Sequence, residues 1–487
     1  MKKNEIPVSA KIISVIMGTL LSGFMWRCRG ESGFGSSWGL YSVGLVLMLL
    51  IYFVYGKKKG LKFELIPIGA LFLGLGVTGY ATVFDQTAGV LYSDLPYKGT
   101  PIYSPVSLSS GMLIFAIMGF TLVPFFAFFI GSIFSDKEYK FKDYIIVIAV
   151  FFAVSTICKA TIAHPIMNLI NPEQVNYAQL GLEDFGITGV TPQKAYMTHF
   201  LDRAWTQEIP YFENYYMSVE HISDFFAVIS VALYALIIKK DKLSTVTTIV
   251  ISALTSLGTT LCSSLYSVFL RSETLGDVTV PRALENGAGW GLWEYSTGAS
   301  FALAVMLTLA LLPKKYTEQN NEDTTPFINN DKFSFLVNIG LCVFILALTP
   351  FRAIGIRTGK LLVNLGVLED DSPTGDIIMI AGAVILGLFF IIKIGKNIFK
   401  NKTTPLGVTP LQFANTALPA YTVMCCILYF CFNHGYIFFL PYSKMTSIKS
   451  FLYIMTGSEC IEISLMIVSF AVCTALYFVL KKKLYSK

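Results

Sequence analysis

Two arginines and a glutamate stand between the first two apolar runs of the chain. Residues 25–39 read MWRCRGESGFGSSWG and contain Arg27, Arg29 and Glu31. A guanidinium group is planar and always charged, and it binds carboxylate or phosphate through two parallel hydrogen bonds. Glycines beside it can present backbone N–H groups to the same anion. This stretch therefore predicts an anion-binding site.

Other chemistry suggested by short patterns is set aside on structural grounds. The sequence GSSWG at 35–39 fits the G-x-S-x-G nucleophile pattern, but that pattern needs a strand-to-helix elbow, and here it joins two apolar segments. The chain has no G-x-x-x-x-G-K-[ST] phosphate loop. His199, Asp202, His221 and Asp224 lack the close spacing of metal ligands. We therefore predict no metal and no cofactor.

The composition indicates that the supporting elements are membrane helices. Of 487 residues, 54% are hydrophobic and 14% are charged, and the mean hydropathy is +0.62, which is outside the range of soluble domains. The prediction is an all-α polytopic membrane protein. Apolar runs near the bilayer-crossing length of about 20 residues predict about twelve transmembrane helices, at 11–26, 39–55, 64–83, 109–134, 144–165, 222–238, 246–268, 289–312, 333–350, 376–393, 414–438 and 461–480. The semi-polar segment 442–458 is either re-entrant or interfacial.

The lysines predict how these helices are oriented. Lysine clusters precede the first apolar run and follow every second one, and such loops stay on the cytoplasmic side. Both termini are therefore predicted to be cytoplasmic. On this topology every arginine, histidine and tryptophan falls on the outer side. Because positive charge opposes an outer location, the arginines indicate either an outward-facing anion site or pairing with outer carboxylates beside an ordinary aromatic belt.

The predicted substrate-binding residues share this outer location. They are Arg27, Arg29, Glu31, Trp38, Lys159, His164, Arg203, Arg282, Trp290, Trp293, Glu294, Arg352 and Arg357. Charges inside the apolar runs occur only in the outer third, at Lys159, Glu294 and Glu462. Ionisable residues at such a depth have a partner or a task. We expect either a salt bridge of Lys159 with Glu294 or Glu462, or a group coupled to a proton or substrate.

A short repeat and a long loop complete the predicted organisation. The sequence GSSWGL at 35–40 recurs as GAGWGL at 287–292, which suggests a parallel 6+6 repeat with a first membrane half at 1–242 and a second at 243–487. The longest loop, at about 170–220, is acidic and aromatic and is predicted to be outside. A loop of this length is either a lid or binding element or an interfacial amphipathic segment.

Two functions remain open from the sequence. The first is a secondary transporter or flippase that binds an anionic or lipid-linked substrate through an outward-facing arginine and aromatic site. The alternative is a membrane-embedded glycosyl- or acyl-transferase with a lipid-phosphate-linked donor, in which His199, Asp202 or Glu31 acts as catalytic base. The expected partners are membrane lipid and an anionic or lipid-linked small molecule, without nucleic acid. The expected location is the inner membrane of a bacterium; the sequence predicts no oligomeric state.

Overall fold

The described part of the chain is almost entirely helical. The computed structural model describes residues 5–31, 36–77, 96–97, 100–101, 108–199, 205, 209, 212–270, 289–318, 331–369, 372–401, 410–428 and 459–485. A two-residue antiparallel ladder joins β1 (Pro96–Tyr97) to β2 (Thr100–Pro101). Everything else that is regular is helical, as the apolar composition predicts.

The helices in chain order carry the labels α1 to α16. The first eight are α1 (Val8–Glu31), α2 (Ser36–Ile51), α3 (Leu65–Val77), α4 (Leu108–Phe120), α5 (Pro124–Phe134), α6 (Phe141–Thr161), α7 (Ala163–Ile170) and α8 (Pro172–Asp184). The others are α9 (Pro192–His199), α10 (Phe212–Leu233), α11 (Lys242–Leu270), α12 (Gly289–Leu311), α13 (Asp331–Asn364), α14 (Ser372–Asn401), α15 (Pro410–Leu428) and α16 (Glu459–Tyr485). Single π-helical turns extend α2 (Tyr52–Gly56) and α10 (Tyr234–Ile238), and short helical turns lie at Lys57–Lys59 and Lys314–Thr317.

The long apolar helices are those of an all-α membrane protein. Within the described residues, 7 helices are long and apolar enough to cross a membrane, or up to 8 if α4 and α5, bent by 45° at residues 121–123, form one broken span. Each predicted apolar run overlaps a helix. Several of these helices are shorter or less apolar than a full span, so the count of twelve and the cytoplasmic termini stay predictions.

The chain folds into two compact units, and the first contains both ends of the described chain. It comprises residues 1–76, 132–140 and 289–487. Its strongest pairings are α13 with α14 and α1 with α12. Helix α1 approaches α12 closely at Gly298, where an added Cβ would lie 2.4 Å from the Cβ of Trp26 and 2.7 Å from the carbonyl oxygen of Ser22. A side chain at this position would therefore force the two helices apart.

The second unit shows that the predicted long loop contains helices, while its location on the outer side stays a prediction. It comprises residues 77–131 and 141–288, and α10 packs along α6 while α4 packs along α11. The segment predicted as a loop at about 170–220 instead forms α8 and α9, and α10 begins at Phe212 and not at 222. Asn171 caps α8 by accepting the N–H of Gln174 at 3.3 Å, a typical N-cap interaction. Helices α7 to α9 pack on the first turns of α10.

The predicted internal repeat remains a sequence hypothesis. The Trp-Gly-Leu sequences of its two copies fall at the start of α2 and of α12, whereas Gly35, Gly287 and Ala288, which open the two copies, lie outside the described part of the chain. The predicted boundary at residue 242 refers to this repeat and stays a prediction. The segment 442–458 also lies outside the described residues.

Candidate functional site

Three helices of the first unit bring four charged side chains together, and we name this group the charge cluster. It consists of Arg27 and Arg29 at the end of α1, Glu294 of α12 and Glu462 of α16. Arg27 donates from Nη1 to Glu294 Oε2 and from Nε to Glu462 Oε1, both at 2.6 Å. Arg29 donates from Nη2 to Glu294 Oε1 at 3.0 Å. One guanidinium group thus joins three helices.

The charge cluster is buried and electrically balanced. The exposed fractions of Arg27, Arg29, Glu294 and Glu462 are 3%, 4%, 9% and 3%. Buried charges are tolerated when they are paired and hydrogen-bonded, and here two positive charges face two negative ones. The helix dipoles also favour this arrangement, because Arg29 lies in the last turn of α1 and Glu462 in the first turn of α16.

The residues around the charge cluster make room for it. At Gly291 an added Cβ would lie 1.9 Å from Glu462 Oε2 and 2.6 Å from Arg27 Nε. The repeated Trp-Gly-Leu sequence therefore has a local physical role in α12, since only glycine leaves space for this ion pair. The Arg29 guanidinium group lies 5.6 Å from the ring centroid of Trp26, within the range of a cation–π contact.

An apolar groove lies in the same unit, on the side of the charge cluster towards the N-terminus of α1 and the C-terminus of α16. It has a volume of about 190 Å³ and is formed by α1, α15 and α16. Its lining includes Met17, Leu21, Leu418, Phe470 and Cys473. Helices α1 and α16 run antiparallel to each other. Cys473 Sγ lies 3.8 Å from the carbonyl oxygen of Met17, whereas Glu462, earlier in α16, binds Arg27, later in α1.

The second unit holds another set of polar side chains, which we name the Lys159 ladder. It consists of Ser155 and Lys159 of α6 with Glu220 and Asp224 of α10. Lys159 Nζ donates to Glu220 Oε2, and Ser155 Oγ donates to Asp224 Oδ1 at 2.6 Å. The hydroxyl of Tyr196, from α9, donates to Glu220 Oε1. Pairs spaced by four residues on each helix face each other, as neighbouring helical turns allow.

His164 lies in α7, beside but not in this ladder. Its Nδ1 is 2.5 Å from the hydroxyl oxygen of Tyr215, and its ring centroid is 5.0 Å from that of Tyr196. Burial lowers the pKa of His164 from 6.5 to about 4, because the charged imidazolium form would lose its hydration. The imidazole is therefore neutral at physiological pH. Burial also raises the pKa of the nearby Tyr196 hydroxyl.

The structure joins some of the predicted site residues and separates others. Arg27, Arg29 and Glu294 share the charge cluster, and Trp293 is buried on α12 beside it. The predicted salt bridge of Lys159 with Glu294 or Glu462 is wrong, because Lys159 pairs with Glu220 while both other carboxylates bind Arg27.

Other predicted site residues lie in helices whose backbone the structure describes without their side chains. Glu31 ends α1, Trp38 and Trp290 lie in the first turns of α2 and α12, and Arg352 and Arg357 lie in α13. Asp202, Arg203 and Arg282 lie outside the described residues. His199 ends α9 with its ring stacked on Trp205 at 3.7 Å between centroids. Among the residues that the structure describes, no three His, Cys, Asp or Glu side chains could hold a metal ion.

Sequence reasoning left three important partners out of the site. Glu462 was visible as a charge in an apolar run, but nothing in the sequence indicates that it binds Arg27. Glu220 and Asp224 have the four-residue spacing of one helix face. That signal is informative only once α10 is known to include residues 212–221.

No protein-family model, no curated protein and no solved structure matches the chain. Its function is therefore argued from the geometry of the charge cluster, the apolar groove and the Lys159 ladder.

Proposed function

We propose that this chain is a multi-pass membrane transporter or flippase that binds a lipid-linked anion at the charge cluster. The observation that carries the proposal is the buried guanidinium group of Arg27, shared between Glu294 and Glu462 from two other helices. Charged residues inside apolar helices are costly, and where they occur they commonly mark substrate or ion pathways.

The carboxylates of the charge cluster can act as stand-ins for a substrate anion. A phosphate or carboxylate group offers the guanidinium fork the same pair of oxygen acceptors that Glu294 and Glu462 now provide. An anion that replaced Glu462 on Arg27 would remove a bond that ties α16 to α1. Anion binding and helix rearrangement would then be coupled, which is the minimum that alternating access requires.

The apolar groove supports a lipid-linked substrate over a small soluble anion. At 1.5 Å per residue, Leu21 lies roughly 9 Å below Arg27 along α1, and Phe470 lies roughly 12 Å below Glu462 along α16. An anionic head at the charge cluster would therefore place an acyl or prenyl chain against the groove. The groove edge carries the exposed side chains of Val423 and Phe478, so a chain can enter from the lipid.

The remaining parts of the proposal rest on the sequence. They are twelve spans arranged as two halves, both termini in the cytoplasm, an outward-facing aromatic and arginine surface, and a bacterial inner membrane. The lysine distribution supports this orientation. The transferase alternative requires a base at His199, Asp202 or Glu31; of these three side chains the structure describes that of His199, whose ring stacks on Trp205.

Native mass spectrometry of the detergent-purified protein tests the proposal. We expect wild type to retain an anionic lipid or lipid-linked molecule. The double variant Arg27→Gln with Glu462→Gln removes one charge of each sign, so it abolishes the fork without leaving an unpaired buried charge. We expect at least a roughly tenfold loss of retained ligand, as the loss of a charge-assisted pair of hydrogen bonds implies.

A matched control separates site loss from general damage. Lys159→Gln with Glu220→Gln also removes one charge of each sign, but from the second unit, and should retain the ligand. Equal ligand occupancy in wild type and in the Arg27 double variant would overturn the proposed site. A retained ligand that is converted to a product during purification would instead identify a transferase.

A further inference from the structure

The Lys159 ladder differs from the charge cluster in its formal charge. Lys159 contributes one positive charge, while Glu220 and Asp224 contribute two negative charges. Their other partners, Tyr196 and Ser155, are neutral hydroxyl donors. The ladder therefore carries one carboxylate more than its cations balance when all three groups are ionised.

This uncompensated carboxylate lies in apolar helices. Both sides of the ladder belong to candidate membrane spans, Phe141–Thr161 and Asn214–Ile238. Next to it, α6 exposes Phe152 by 56% and Ile157 by 60%, which is the pattern of a lipid-facing surface. A carboxylate without a cation in such surroundings is costly, and binding one positive charge removes the cost.

Among the side chains that the structure describes, the neighbouring elements bring no further cation to Asp224. Within the described residues, Lys159, Glu220 and Ser155 are the groups that act on it, with Tyr196 of α9 nearby. Helix α4 has no titratable side chain. His164 of α7 is hydrogen-bonded to Tyr215. Near the other end of α10, the hydroxyl of Tyr234 donates to Asp143.

The outlying charges of the packed helices are exposed. They are the carboxylates of α8 at Glu173, Glu183 and Asp184, Lys194 of α9 and Lys242 at the start of α11. His221, next to Glu220 on α10, is buried with Nδ1 at 3.3 Å from Thr121 Oγ1, and its Nε2 has no partner among the described residues. It offers a further buried atom that can accept a proton.

We propose that the Lys159 ladder is a proton-binding site, in which one proton adds to the carboxylate of Asp224 and brings the ladder to zero net charge. The bond formed is O–H on the carboxyl oxygen that does not accept from Ser155. Lys159 lies two residues from the end of the span Phe141–Thr161, and Lys159 and Glu220 keep 20% and 21% of their side-chain surface exposed, so protons can reach and leave the ladder at this end of the two helices. That this proton drives transport rests on the proposed function; the site itself does not.

Labelling with dicyclohexylcarbodiimide tests the site without a substrate. This apolar reagent adds to a carboxyl group only in its protonated form, so the adduct reports proton occupancy inside a membrane. Full-length protein in liposomes is labelled across a pH series, and peptide mass spectrometry quantifies the adduct on Asp224 and any Glu220–Lys159 cross-link. We expect roughly tenfold more modification at about pH 6 than at about pH 8, because only the protonated carboxyl group reacts.

Two controls make the outcome decisive. Glu183, exposed on α8, should remain unmodified throughout. Ser155→Ala removes the donor that stabilises the charged carboxylate, so its labelling should extend about one pH unit higher. Absence of the adduct at every pH, or protection by sodium but not by potassium, would overturn the proton site. Neither outcome depends on ligand retention at Arg27, so the two proposals fail separately.

Discussion

The charge cluster and the Lys159 ladder differ in how their ionisable side chains are balanced and buried. Both place ionisable side chains in apolar helices. In the charge cluster two arginines meet two glutamates, every member is at most 9% exposed, and three helices share one guanidinium group. In the ladder one lysine meets two carboxylates, and the lysine pair is about one-fifth exposed.

This difference separates a closed network from an open one. The four side chains of the charge cluster carry no net charge together, so an anion must compete with internal carboxylates to enter it. An unbalanced and reachable network approaches neutrality by taking a small cation from outside. We infer that the first region suits recognition of a large anion and the second suits exchange of a proton.

The largest expected effect breaks the closed network. Arg27→Ala leaves Glu294 and Glu462 buried with a lost partner, and removing one member of a buried ion pair typically costs about 3–5 kcal/mol. Thermal unfolding in detergent should show this loss, and adding Glu462→Gln to the same chain should recover part of it. An Arg27→Ala protein within about 1 kcal/mol of wild type would mean that the cluster is not closed.

The second prediction concerns the helix contact that holds the charge cluster together. Gly298→Val would drive a side chain into the Trp26 Cβ and the Ser22 carbonyl oxygen, and overpacking of this kind costs about 1–3 kcal/mol. The unfolding temperature should fall. Gly387→Ala in α14 is the matched control, because its nearest neighbours would lie 3.7 and 3.9 Å away. Equal melting of the two variants would contradict the close approach of α1 and α12.

The third prediction concerns how the free energy of unfolding depends on pH through His164 of the second unit. The pKa of His164 is lowered to about 4 by burial, so between about pH 6.5 and 4 the unfolded chain binds a proton that the folded chain does not. Stability is therefore complete above about pH 6.5 and is lost as the pH falls towards 4, by about 2 kcal/mol after allowance for solvent screening. Unfolding midpoints across this range measure the loss.

A substitution at the same position supplies the control for that pH dependence. His164→Gln cannot titrate, so its stability should change less between about pH 6.5 and 4 than that of wild type. The charge cluster contributes no histidine. If His164→Gln kept the full acid sensitivity, a different group would be responsible for it.

Much of the helical layout follows from the sequence, because length and hydropathy alone define a membrane helix. All the predicted apolar runs overlap helices. The start of α10 was misplaced because residues 212–221 mix aromatic and acidic side chains, which resemble a loop until α7 to α9 cover them. Local composition does not reveal such tertiary cover.

The pairing within the sites was beyond the sequence for a related reason. An ionisable residue in an apolar run predicts that a partner exists, but not which one. Arg27 meets residues 267 and 435 positions away, and those contacts depend on how three helices pack. The role of Arg27 as part of an ionic site was predictable from its type and place. The sequence did not predict that Glu462 neutralises Arg27. Because of this pairing, the predicted anion site is already occupied by a carboxylate of the protein.

The smallest expected effect on stability comes from removing the lysine of the Lys159 ladder. Lys159→Ala removes a partly exposed lysine, while Glu220 keeps the Tyr196 hydroxyl as a donor. Polar pairs between membrane helices average about 0.6 kcal/mol, and a carboxylate left without its cation can take up a proton, so the loss of stability should stay below about 1 kcal/mol. Thermal unfolding beside Arg27→Ala measures the contrast directly.

Because Lys159 favours the charged carboxylates, its removal should also extend carbodiimide labelling of Asp224 to higher pH. If Lys159→Ala instead destabilised the protein as much as Arg27→Ala, the ladder would be as closed as the charge cluster, and an excess carboxylate could no longer be assigned to proton exchange.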